Sequence, residues 1–186
     1  FCTLTDLLTN NEDIILLTGN YHNFFGKMFY ANKIKDFDKI IKSLKSNFND
    51  RIYFEIQRHG EEGERNYENH ILNCSKILDV PLIATQEVFY LNNDMFEAHD
   101  ALTCIGEKKF VDDKSRFKYS DQHFLKREED ILKLYSDIPE ALENNYNFHL
   151  RFNFKLKKSK PILPSIANDQ SNSPEDELNK QAMEGL

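Results

Sequence analysis

The sequence predicts an α/β fold built on a parallel sheet or barrel, and three observations predict it. Three short apolar runs, Asp13 to Gly19, Arg51 to Gln57 and Pro81 to Thr85, have the length and bounding residues of strands. Between them lie two stretches, Asp36 to Phe48 and Glu64 to Leu78, whose apolar residues recur at helical spacing. Their alternation is the pattern of right-handed strand–helix–strand crossovers, in which sites form beyond the carboxyl ends of the strands. Those ends are Gly19-Asn20, Gln57 to His59, and Gln86-Glu87.

Taken in order, Thr3 to Leu8 reads as a capped helical turn. Asp13 to Gly19 is a continuous apolar run closed by glycine, as in a strand buried on both faces. The first long helix sets Phe37, Ile40, Ile41, Leu44 and Phe48 on one face and lysines on the other. The second strand alternates Ile52, Phe54 and Ile56 with Tyr53, Glu55 and Gln57, and the next helix spaces Tyr67, Ile71, Cys74 and Leu78 along one stripe. After the third strand, Asp94 with Glu97 predicts a capping box. Met95, Ala98, Leu102 and Ile105 supply an apolar stripe, and Gly106 the end of the helix. Phe110 to Phe124 is an irregular polar connector. Two helices follow, about Glu128 to Tyr135 and Pro139 to His149, the second opened by a proline suited to a first helical position.

A boundary is expected near residue 150. The first domain is 1–150; 151–172 is a basic, proline-containing linker; 173–186 opens a new helix, with Ser173 as cap, Pro174 at its first position and acids facing the dipole. The start at Phe1 and the pattern that stops at Leu186 are expected of a segment cut from a longer chain.

The 186 residues carry 40% hydrophobic and 30% charged side chains, a globular composition, and a net charge of -7 that argues against a self-sufficient nucleic-acid binder. Cys2, Cys74 and Cys104 form no C-x-x-C pair, so neither a disulfide framework nor a zinc cluster is expected, and a reducing cytoplasm fits. No apolar run approaches the roughly 20 residues of a membrane span.

Four stretches together resemble bacterial replicative DNA polymerases of the C family: Tyr53-Phe54-Glu55-Ile56-Gln57-Arg58-His59-Gly60, Pro81 to Thr85, Glu97-Ala98-His99-Asp100 through Cys104-Ile105, and Asp137-Ile138-Pro139-Glu140-Ala141-Leu142-Glu143-Asn144. Their order and spacing over residues 12–186 carry the resemblance. It implies the later part of a PHP domain, a distorted parallel β/α barrel, followed by the entry to the polymerase core. Relatives with a working PHP metal cluster have Ser-Gly-Cys where this chain has Thr18-Gly19-Asn20, and an Asp and a His two residues apart where it has Glu87 and Phe89. Asn20, Glu87 and Phe89 are thus degenerate metal-site positions, since an amide is a poor ligand beside a thiolate and a phenyl ring cannot coordinate.

The resemblance further implies that the parent protein is a magnesium-dependent, DNA-templated nucleotidyltransferase acting on a primer-template. Its catalytic carboxylates lie beyond Leu186, so no catalytic residue, metal or cofactor is expected in this segment. The expected role is scaffolding of the rest of the polymerase subunit and docking of the proofreading exonuclease subunit. Two rivals are a PHP-type metal-dependent phosphoesterase and a stand-alone α/β binding module from a split gene.

Individual residues are weighed against plainer readings. Asp36-Phe37-Asp38 looks like part of a two-metal carboxylate motif, but its acids sit where a helix dipole favours them. His59, at a strand's carboxyl end, is the candidate polar site, against the reading of a solvated loop histidine. Cys74 and Cys104 fall on helical stripes as small hydrophobes. Arg151, Lys155, Lys157 and Lys158, interleaved with Phe152 and Phe154, are candidate DNA-backbone contacts, against a solvated linker. A three-stranded parallel segment with uncovered edges is expected to be aggregation-prone or partly molten in isolation.

Overall fold

The computed structural model describes residues 2–161 and 173–185. Two compact units, Phe1–Phe152 and Asn153–Leu186, divide the chain.

In the first unit, α1 (Leu4–Thr9) opens with the capping box of Thr3 and Asp6. β1 (Leu16–Leu17) is followed by α2 (Phe24–Tyr30) and α3 (Ile34–Phe48), then β2 (Ile52–Ile56), α4 (Glu64–Leu78) and β3 (Leu82–Ala84). The three strands form one parallel sheet in the order β1-β2-β3. Leu16 pairs with Ile52 and Leu17 with Tyr53; Phe54, Glu55 and Ile56 pair with Leu82, Ile83 and Ala84. Among the described residues the sheet is open, with β1 and β3 as its edges. α5 (Phe96–Glu107), α6 (Glu128–Leu134) and α7 (Pro139–Phe148) complete the unit.

The core forms where the helical stripes meet the sheet. Phe37, Ile41, Leu44 and Phe48 of α3 are all buried, and Tyr67, Ile71 and Cys74 of α4 join them against Ile52, Phe54 and Ile56. Burying each large apolar side chain stabilises the fold by roughly 1.5–3 kcal/mol, which makes these stripes the principal cohesion of the unit. α7 packs on β3, where Asn144 and Asn145 donate side-chain N–H groups to the outward carbonyls of Leu82 (2.7 Å) and Ala84 (2.6 Å). Those bonds satisfy the β3 edge without another strand.

Several expectations are corrected. Leu16 and Leu17 are half-buried and Ile14 is exposed, because β1 is an edge strand with a single strand partner. α2, absent from the sequence expectation, follows Asn23, which makes no side-chain cap bond, and packs Phe25 and Gly26 inward with Met28 and Phe29 against the core. α5 turns its predicted stripe outward, leaving Met95, Leu102 and Ile105 exposed while Asp100 and Cys104 are buried. Its start has no side-chain cap and follows a 3-10 turn at Asn93–Met95; its end passes Gly106 to Lys108, which caps it with φ 56°. An Asp100–Arg116 pair, with both bonds at 2.6 Å, sets that orientation by placing a carboxylate and a guanidinium on the buried side.

In the second unit, α8 (Pro174–Glu184) is capped by the Ser173 hydroxyl, which accepts from the Asp176 N–H at 3.2 Å. Residues 162–172 of the expected linker lie outside the described residues.

Candidate functional site

The carboxyl ends of the three strands converge on a layer of polar side chains. Gly19, with φ 77°, turns the chain out of β1 in a conformation that disfavours a side chain. Its N–H donates to Glu55 (3.1 Å), and the Asn20 amide donates to Gln57 (2.7 Å). Gln57 in turn donates to Glu55 (3.0 Å) and Thr85 (2.9 Å), so one network stitches β1, β2 and β3 together.

Above that layer sits Glu61. Its carboxylate accepts from the Tyr21 hydroxyl (2.5 Å) and the Ser120 N–H (3.2 Å), with the His22 ring at 2.8 Å and the His123 ring at 3.2 Å. Burial pushes the Glu61 carboxyl up, but the bonds from His123, Tyr21 and His22 outweigh it and hold the group well below the usual carboxylate range. An ionised carboxylate is therefore fixed among two histidines and a tyrosine.

Beside it, His59, His123, Phe89 and His99 form a run of rings: His59 stacks on His123 at 4.0 Å, His123 on Phe89 at 5.0 Å, and Phe89 on His99 at 5.0 Å. His59 is 2% exposed, which overturns the reading of a solvated loop histidine. Its backbone N–H and that of Gly60 donate to Glu64 at 2.7 and 2.8 Å, clamping the loop over the end of β2. Among the described residues its Nε2 has no hydrogen-bond partner, and burial, with His123 adding to it, lowers the ring's pKa to about 4.

Of the three positions the sequence singled out, Glu87 and Phe89 lie here. Glu87 presents its backbone carbonyl to His123 Nδ1 (3.2 Å), with its carboxylate 3.9 Å from the same nitrogen. Phe89 lies between His123 and His99, and its N–H donates to the His123 carbonyl (2.9 Å). Asn20 stands one strand away, its side chain turned to Gln57 and to the His22 N–H (3.0 Å). His22 and His123 engage opposite oxygens of Glu61, while Phe89, between His123 and His99, offers no ligand atom. Among the described residues, the set of three donor side chains drawn within 4.8 Å of one another lies elsewhere, at Asp38, His70 and Cys74.

Arg58 welds two of the sequence stretches together. It bonds Glu68 at 2.9 and 2.6 Å, Asp137 at 2.6 and 2.9 Å, and the Leu134 carbonyl at 2.6 Å. Of the basic residues, Arg151 belongs to the first unit, bound to Asp50 (2.7 Å) and the Tyr53 hydroxyl (2.6 Å). Lys155, Lys157 and Lys158 are exposed in the second unit.

Sequence reasoning missed Tyr21, His22, Glu61 and His123 as a group. Their one legible signal is position: Tyr21, His22 and Glu61 follow strands. His123 enters only through the irregular connector, which has no period to read.

No family model matches the chain. The DNA polymerase III subunit alpha of Caulobacter vibrioides is 34% identical over 95% of the chain, that of Rickettsia bellii 32% over 99%, and that of Haemophilus influenzae 31% over 97%. The chain spans 16% of the length of each. Similarity of this extent shows the kinship: the chain corresponds over nearly its whole length to a segment of the DNA polymerase III alpha subunit.

Proposed function

We propose that this chain is a non-catalytic segment of a DNA-templated DNA polymerase, where it serves as a PHP-type scaffold. The observation that carries the reading is similarity along 95% or more of the chain to DNA polymerase III alpha subunits. In this reading the three-stranded sheet is part of a distorted β/α barrel, and the remainder of the alpha subunit covers the β1 edge. Asn20, Glu87 and Phe89 occupy positions where a metal cluster has been lost. The Glu61 carboxylate, engaged by Tyr21, His22 and His123, has become a structural hub of the strand ends.

The parent enzyme adds deoxynucleotides to a primer with magnesium held by residues outside this segment, and the segment presents a surface to the proofreading exonuclease subunit. With Arg151 bound to Asp50, the exposed Lys155, Lys157 and Lys158 are the cations of this run left to follow a DNA backbone. The phosphoesterase alternative is not favoured, because hydrolysis needs a bound metal with an open position, and Phe89 offers no ligand atom where the resemblance implies a histidine.

Primer extension and phosphate release test the proposal, measured on the 186-residue chain and on the full-length polypeptide that contains it. Extension by the full-length protein alone, with no phosphate release from the segment, is expected. Extension by neither overturns the polymerase assignment, and metal-dependent phosphate release by the segment overturns the scaffold role.

A further inference from the structure

Outside the strand-end site, Asp38 of α3 and His70 and Cys74 of α4 bring three metal-ligating side chains together. His70 and Cys74 are four residues apart and so share one face of α4. His70 Nε2 and Cys74 Sγ lie 3.5 Å apart, and all three donor atoms fall within 4.8 Å of one another. Zinc bonds of about 2.3 Å to sulfur and 2.0–2.2 Å to nitrogen and oxygen, set tetrahedrally, hold donor atoms about 3.4–3.6 Å apart. The imidazole and thiol already stand at that spacing, and rotation of the Asp38 carboxylate closes the remainder.

Two features distinguish the cluster from ordinary packing. Asp38 is half-buried yet makes no ion pair or side-chain hydrogen bond among the described residues, so its charge faces the imidazole and the thiol without a cation. The His70 ring is fixed from the other side, 4.9 Å from both Phe29 and Phe37, which sets its direction before any ligand arrives.

We propose that Asp38, His70 and Cys74 form a three-ligand site for a divalent transition metal of the zinc class, clamping α3 to α4. Thiolate, imidazole and carboxylate together select a borderline-soft ion over magnesium or calcium. Binding replaces the Cys74 S–H bond with an S–metal bond, releases that proton to solvent, and leaves a fourth position to water.

Cobalt(II) titration of the 186-residue chain tests the site, because a thiolate-to-cobalt charge-transfer band reports the Cys74 bond directly. A band saturating at one equivalent and displaced by zinc is expected. C74S abolishes it, and H70Q and D38N each weaken apparent affinity by at least the roughly tenfold that losing even an outer-shell partner costs. Absence of a one-equivalent band, its persistence in C74S, or unchanged affinity in both H70Q and D38N overturns the proposal. Because Cys2 and Cys104 remain in every variant, a band arising from them shows itself in C74S.

Discussion

At the scale of the residue, His59 shows how burial reshapes a side chain that the sequence places in a loop. Enclosed beside His123, with Nε2 unpartnered among the described residues, it keeps its neutral form down to a pKa of about 4, against roughly 6.5 in an unfolded chain. Between those values the unfolded state binds a proton that the folded state does not. Stability therefore falls as pH is lowered through that window. Glu61 acts in a lower window: its depressed folded-state pKa means its contribution is intact above about 4.3 and is lost only as pH falls further. We expect the urea midpoint of the wild-type chain to decline from pH 6.5 to pH 4 and that of H59Q to decline less. Equal slopes in the two proteins count against the assignment.

At the scale of the element, α2 and α5 show where periodicity misleads. α2 is seven residues long, and its placement depends on Gly26, where an added Cβ would stand 1.9 Å from the Tyr21 carbonyl oxygen. Helix propensity favours alanine over glycine by about 1 kcal/mol, yet a contact that close to backbone cannot be relieved by moving a side chain. Overpacking of this kind costs roughly 1–3 kcal/mol, so G26A should be destabilised on balance and should displace Tyr21 from Glu61. Equilibrium unfolding of G26A beside the wild type checks this, and an equal or higher midpoint would contradict it. In α5 the more apolar stripe faces outward because the Asp100–Arg116 pair and the stack of His99 on Phe89 fix the opposite face against the connector.

At the scale of the whole chain, the two sheet edges differ. α7 caps the β3 carbonyls with Asn144 and Asn145, whereas β1 borders a cavity of about 580 Å³ lined by Leu4, Leu7, Leu16, Leu17, Phe24 and Ile40, among others. An open strand edge beside apolar surface is a template for another chain. The 186-residue chain should therefore self-associate with rising concentration, measured by sedimentation velocity; a single monomeric species across the range refutes this. In the first unit and in α8 alike, no helix is long and apolar enough to cross a membrane among the described residues.

By itself the sequence determined the three parallel strands, the stripes of α3 and α4, the proline that opens α7 and the serine that caps α8. Each is a local signal, a period or a cap, that needs no partner to be read. It also carried the kinship, through stretches that prove to touch: Arg58 reaches Asp137, and Asn144 reaches β3. Tertiary structure alone decided which face of α5 is buried, where α2 packs, and that Tyr21, His22, Glu61 and His123 meet. It likewise brought Asp38 to His70 and Cys74. The two polar clusters join residues 32 to 102 positions apart, the buried face of α5 turns on a single ion pair, and hydrophobic period is silent about polar side chains that find their partners only when the strands and helices are assembled.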